Sequence, residues 1–122
     1  MFELTIITSF SSAHNLRDYK GACENLHGHN FRVEVAIEAS DAGADGMVLD
    51  FKRLKAFVRR VTDPLDHKYL NGIAPFDKEN ATAENIARHI FKGLKRRLNK
   101  GNVRVSRVRV WESETAGAAY YE

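Results

Sequence analysis

The chain has 122 residues, 43% of them hydrophobic and 29% charged, with a formal net charge of +3; this is the composition of one folded globular domain spanning residues 1–122 and excludes a disordered chain. Its apolar runs fall far short of the roughly 20 residues that a membrane-spanning helix needs. The opening Met1-Phe2-Glu3-Leu4-Thr5 has none of the regions of a secretory leader, and the single Cys23 cannot close an intrachain disulfide, so a reducing cytoplasm is the expected setting.

Phe2 to Phe10 is rich in Thr, Ile and Phe and predicts a strand. Phe31, Val33, Val35 and Ile37 alternate with Arg32, Glu34, Ala36 and Glu38, the period of two of a strand with one dry and one wet face. Ser40 to Gly46 is a glycine- and aspartate-rich loop. Asp50 then reads as the N-cap of a helix with Phe51, Leu54, Val58, Val61 and Leu65 on one apolar stripe, ended by Pro64 and Asn71-Gly72. A second helix starts near Thr82, with Glu84 in its first turn and Ala83, Ile86, Ile90, Leu94 and Leu98 on one side; Gly101-Asn102 stops it. Val103, Val105, Val108 and Val110 mark another strand, whose parity slips between Val105 and Val108 and so predicts a bulge or burial on both faces. Ala118 to Glu122 closes the chain as a short edge strand. The order ββααββ predicts an α+β fold: a four-stranded antiparallel sheet with two helices on one face. Its exposed edges are expected to be covered by oligomerisation.

The chemistry concentrates in His27-Gly28-His29. In an extended chain both imidazoles point to one side, and Gly28 adds no side chain to crowd the approach. A hairpin would bring His14, at the end of the first strand, beside them. Taken alone a His-x-His pair reads by default as two surface histidines, but three neutral imidazoles with an open fourth position form a typical catalytic zinc set. Cys23 is either a small buried hydrophobe or, near a metal, a thiolate able to act as a base. Asp66-His67 is either a helix C-terminal cap or a carboxylate orienting a proton-shuttling imidazole. Glu112 shares the parity of Val108 and Val110; it either reaches solvent or meets a ligand with two adjacent N–H groups, such as a guanine-like or pterin ring. His89, opposite the Ile86/Ile90 stripe, reads as a surface residue. The acid-free run containing Lys92, Lys95, Arg96, Arg97, Lys100, Arg104, Arg107 and Arg109 is a solvated face or an anion-binding stripe. No aromatic residue interleaves it to stack bases, which disfavours an RNA-binding module.

The run Cys23-Glu24-Asn25-Leu26-His27-Gly28-His29, with His14 upstream, resembles the Cys-x3-His-Gly-His signature of the 6-pyruvoyl-tetrahydropterin synthase superfamily, with the spacing of its 6-carboxy-tetrahydropterin synthase branch. Val48-Leu49-Asp50-Phe51, Leu65 to Asn71, Thr82-Ala83-Glu84-Asn85 and Glu112 to Gly117 agree with the same family in order, and Ala81 departs from it where many members have proline. The resemblance implies the tunnelling fold, with subunit sheets joined into a barrel as trimers stacked into hexamers and active sites at subunit interfaces. It implies zinc on His14, His27 and His29, a proton-transfer set of Cys23, Asp66 and His67, and a pterin anchor at Glu112. The implied substrate is 7,8-dihydroneopterin triphosphate, converted to 6-carboxy-5,6,7,8-tetrahydropterin, acetaldehyde and triphosphate in queuosine and 7-deazaguanine biosynthesis. The sibling 6-pyruvoyl-tetrahydropterin synthase reaction, which keeps the side chain, is the alternative.

Overall fold

The computed structural model describes residues 1–21 and 24–122. β1 (Phe2–His14) and β2 (His27–Ala39) form a long antiparallel hairpin; α1 (Phe51–Thr62) and α2 (Ala83–Leu98) follow, and β3 (Val103–Trp111) and β4 (Gly117–Tyr120) complete the sheet. The sheet is antiparallel throughout, in the order β1-β2-β3-β4. The α+β architecture expected from the element order is the one adopted. β1 runs on to His14, beyond Phe10, and β4 starts and ends slightly earlier than expected. No helix among the described residues is long and apolar enough to cross a membrane.

Strand alternation separates the two faces. In β1, Ile6, Phe10, Ser12 and His14 are buried while Ile7 and Ser9 are exposed; in β2, Phe31, Val33, Val35 and Ile37 are fully buried. Phe10 sits opposite Phe31 and the rings stack at 4.9 Å. Leu54, Val58 and Val61 of α1 and Ile86, Ile90, Leu94 and Leu98 of α2 close over this face. Each such side chain removed from water contributes roughly 1.5–3 kcal/mol. The helices approach closely because position 93 is glycine: a Cβ there would lie 3.0 Å from Val61 Cγ1.

Both helices start on side-chain caps. Asp50 Oδ1 accepts from the Lys52 N–H at 2.7 Å, and Thr82 Oγ1 from the Asn85 N–H at 3.1 Å. Phe51, expected on the apolar stripe, is instead 56% exposed. It is the first residue of α1, where Cα–Cβ bonds point back past the helix end, so the stripe begins at Leu54. The slipped parity of β3 is a bulge: Ala36 faces Arg107 and Ile37 faces Val105, leaving Ser106 without a partner while its hydroxyl donates to the Ala36 carbonyl at 3.0 Å. The extra residue lets both Val105 and Val108 face the core.

The basic run does not form one stripe. Lys92, Lys95, Arg96 and Arg97 lie on α2, whereas Arg104, Arg107 and Arg109 alternate with the buried valines of β3 and so face away from the helices. Where the two groups meet, beside β4 and along the stretch of β3 that it leaves unpaired, Lys95 and the three arginines line a groove of about 600 Å³ shared with Glu3, Glu38 and Glu122.

Truncating Leu94 to alanine is expected to cost about 2–5 kcal/mol of stability, against about 1 kcal/mol for Thr82→Ala at the α2 cap; denaturant titration of the two variants checks the order.

Candidate metal centre

The β1/β2 register places His14 directly opposite His27, and His29 follows two residues later on the same face. They lie at the inward-facing ends of the two strands: His29 is the inward neighbour of Phe31, and in β1 the buried Ser12, opposite His29, separates Phe10 from His14. The three imidazoles meet edge to face, with ring centroids 4.5 Å (His14–His27), 4.7 Å (His27–His29) and 5.1 Å (His14–His29) apart. One ring nitrogen from each lies within 4.8 Å of the others. His14 is 1% exposed, and His27 and His29 are half-buried.

Hydrogen bonding decides which nitrogens are free. His14 Nδ1 is 2.7 Å from the Ala81 carbonyl, and His27 Nδ1 is 2.7 Å from the Asn25 carbonyl. A carbonyl only accepts, so each Nδ1 carries the proton and each Nε2 keeps its lone pair. His14 Nε2 and His29 Nε2 are buried with no hydrogen-bond partner among the described residues. Such orphaned acceptors are rare in protein interiors and suit a cation that accepts electron pairs. Burial pushes the His14 imidazole below its ordinary pKa; the Ala81 carbonyl opposes this, His27 and His29 add to it, and Glu112 opposes it. His14 is thereby held neutral, the form that binds metal. All-nitrogen donation by three imidazoles fits zinc.

Gly28 does not work as expected. Alternation puts it on the opposite face from His27 and His29, and a Cβ there would meet only the Ser12 carbonyl at an ordinary 3.6 Å.

Asp66 is not a cap of α1. The helix ends at Thr62, a 3-10 turn covers Asp63–Leu65, and the chain then runs along the free edge of β1. There the His67 N–H donates to the Ser11 carbonyl at 2.6 Å and the Ala13 N–H to the Lys68 carbonyl at 2.9 Å, while Ser12 Oγ donates to the Leu65 carbonyl. Asp66 Oδ1 accepts from the Ser11 N–H at 2.8 Å, and Oδ2 lies 3.0 Å from His67 Nδ1. These two contacts, the Ser11 N–H first, hold the Asp66 carboxyl below the usual carboxylate range. His67 adopts a left-handed backbone (φ 54°) and its side chain is 82% exposed. The pair therefore projects from the sheet edge, outside the histidine cluster.

Glu112 follows β3, and its N–H closes a loop onto the Ala116 carbonyl at 3.0 Å. Its half-buried carboxylate takes no hydrogen bond among the described residues. It lines a cavity of about 280 Å³ with Leu16, Thr82, Ala83 and Ala116, and a second of about 720 Å³ with His29, Asn30, Arg32 and Trp111. Its charge reaches His14, so the carboxylate and the imidazoles occupy one end of the sheet. Cys23 lies outside the described residues. His89, expected on the surface, is half-buried with its ring 5.4 Å from that of Phe76; burial first, then the Arg96 charge, lowers its pKa. The Ala81 carbonyl carries no side-chain signal and was not legible in the sequence.

The lowered Asp66 pKa fixes a sign. The unfolded chain takes up that proton at higher pH than the folded one, so the stabilisation is complete above the ordinary carboxylate value and is lost as pH falls through the lower folded value. Asp66→Asn is expected to flatten that acid segment of a stability-against-pH curve measured by denaturant unfolding.

The family description of 6-pyruvoyl tetrahydropterin synthase matches residues 3–122. A protein of Haemophilus influenzae named 6-carboxy-5,6,7,8-tetrahydropterin synthase is 33% identical over the whole of both chains. A dihydroneopterin monophosphate aldolase of Pyrococcus furiosus is 38% identical over 89% of this chain and 88% of its own. The solved 6-pyruvoyl tetrahydropterin synthase of Caenorhabditis elegans superposes with a TM-score of 0.87 at 28% identity, covering 99% of this chain and 95% of its own. The ββααββ subunit with its antiparallel sheet is the tunnelling-fold subunit, and the chain belongs to the 6-pyruvoyl tetrahydropterin synthase family.

Proposed function

We propose that the protein is a zinc-dependent 6-carboxy-5,6,7,8-tetrahydropterin synthase, converting 7,8-dihydroneopterin triphosphate and water to 6-carboxy-5,6,7,8-tetrahydropterin, acetaldehyde and triphosphate on the route to queuosine and other 7-deazaguanines. The observation that carries it is the convergence of His14, His27 and His29, with buried nitrogens that have no partner among the described residues, at the end of the sheet that also holds the Glu112 carboxylate. The full-length relative named for this activity and the Cys-x3-His-Gly-His spacing favour it over the sibling reactions.

In this reading His14, His27 and His29 hold the zinc. Bound there, the ion supplies Lewis acidity that polarises side-chain oxygens of the substrate and acidifies the neighbouring C–H bonds. Glu112 accepts two adjacent N–H groups of the pterin ring, which satisfies a carboxylate without a partner among the described residues and fixes the ring's orientation. Cys23, as thiolate, takes a proton from the side chain. His67, held through Nδ1 by Asp66, leaves Nε2 free to exchange a proton on the other side. Two groups of different acidity flanking the reacting carbons move electrons within the substrate, so no nicotinamide or flavin is required. The exposure of His67 on the edge of β1 fits a site completed between subunits, in sheets joined into a barrel of stacked trimers. One domain over residues 1–122, a cytoplasmic setting and no nucleic-acid partner belong to the same reading.

Incubation with 7,8-dihydroneopterin triphosphate is expected to release acetaldehyde and triphosphate together. Chelation should abolish the acetaldehyde, zinc should restore it, and Cys23→Ala should yield none. Triphosphate released without acetaldehyde, with the side chain kept, would instead identify the 6-pyruvoyl reaction. Glu112→Gln is expected to raise KM roughly tenfold to a hundredfold, the loss of a charge-assisted hydrogen bond, and steady-state kinetics would detect it.

A further inference from the structure

The His14 imidazole is oriented by the Ala81 carbonyl, and that carbonyl belongs to a stretch without strand or α-helix, between Asn71 and Thr82. Three side chains tie this stretch to the segment that follows His14. Asn71, 5% exposed, accepts from the Asn15 N–H through Oδ1 at 3.1 Å and donates from Nδ2 to the Asn15 carbonyl at 2.9 Å. Asn80 repeats the arrangement two residues on: Oδ1 accepts from the Arg17 N–H at 2.9 Å and Nδ2 donates to the Arg17 carbonyl at 3.0 Å. Each carboxamide thus does what a partner strand would do for one residue. Between them the Arg17 guanidinium donates to the Asn71 carbonyl at 3.1 Å and the Phe76 carbonyl at 2.9 Å. From the other side Asn85, in the first turn of α2, donates to the Asn80 carbonyl at 2.9 Å.

The peptide preceding Ala81 is therefore gripped by α2 on one side and by the Arg17 backbone on the other. Hydrophobic burial of Phe76 and Ala81 holds the loop down, but burial is not directional and does not aim a carbonyl. Hydrogen bonds with fixed donors and acceptors do. A buried histidine whose Nδ1–H loses its acceptor would rotate or change tautomer and withdraw Nε2 from the cluster.

We infer that Asn80 and Arg17, neither of which lies in the segments that carry the family resemblance, are positioning residues for the metal centre: together with Asn71 they set the Ala81 carbonyl that holds His14 with Nε2 toward His27 and His29. This rests on the metal reading above for its consequence, though not for the geometry itself. The test uses the full-length protein as wild type, Asn80→Ala, Arg17→Lys and, as a control in the far end of α2, Leu98→Ala. Arg17→Lys keeps the charge but cannot span two carbonyls with one planar fork. Two quantities are read: the ring-nitrogen signals of 15N-labelled histidine before metal is added, and the zinc dissociation constant by competition with a chromophoric chelator. The wild type is expected to show His14 as a single Nδ1–H tautomer. Both clamp variants should lose that signal and bind zinc roughly tenfold to a hundredfold more weakly, whereas Leu98→Ala lowers the unfolding midpoint and leaves both readings in place. The inference is overturned if the variants keep the tautomer and stay within about twofold of wild-type affinity, or if Leu98→Ala weakens zinc as much. Should Asn80→Ala fail to fold, Arg17→Lys decides. A wild type that takes up no zinc sinks the metal reading, and the tautomer signal then judges the clamp by itself.

Discussion

The register of one β-hairpin sets the geometry on which the candidate centre depends. Side chains alternate along a strand, so pairing His14 with His27 puts His14, His27 and His29 on one face, and a slip of a single residue would turn one strand's histidines to the other. The same alternation buries Phe10, Phe31, Val33, Val35 and Ile37 under the helices. The hydrophobic core therefore enforces the register that the polar cluster requires. The imidazoles end the inward-facing series of the two strands, and Phe31, which stacks on Phe10, lies edge to face against His14 and His29 at 5.5 and 5.3 Å.

Burial at that end has an electrostatic consequence. It lowers the proton affinity of His14 and leaves two ring nitrogens without partners among the described residues, an arrangement that by itself costs stability. A cation taking up those lone pairs would offset the cost, so stability lost to unsatisfied acceptors would reappear as affinity. Glu112 sits close enough to bias His14 in the opposite direction, and Asp66 is stabilised as an anion on the outer edge. The centre is thus bracketed by one carboxylate with no hydrogen-bond partner among the described residues and another that is already committed to a histidine.

The segment from Asp63 to Thr82 does work that neither strands nor helices could. It covers the free edge of β1 at Ser11–Ala13 with backbone hydrogen bonds, carries the Asp66–His67 pair, and returns over the hairpin to present Ala81 to His14. Further down, the β1 edge has no strand partner among the described residues, and β4 spans only part of β3. Open edges of this kind invite pairing with another sheet, which supports the proposed assembly through the edges.

Much of this was legible from residue order alone, for a common reason. Strand alternation, the Leu54/Val58/Val61 and Ile86/Ile90/Leu94 stripes, the Asp50 and Thr82 caps and the bulge near Val105 are local patterns, written within a few residues of one another. The histidine cluster was readable because a hairpin converts such patterns into a predictable contact. Only the tertiary structure decided that Phe51 is exposed, that His89 is packed against Phe76, that Gly28 faces away from the centre and that the basic run divides between α2 and β3. It alone joined Arg17 to Asn80 and His14 to Ala81, across 63 and 67 positions of chain. Those bonds run from side chains to backbone groups, which every residue carries alike, so no periodicity or residue type announces the acceptor; it exists only once the loop has been folded against the strand.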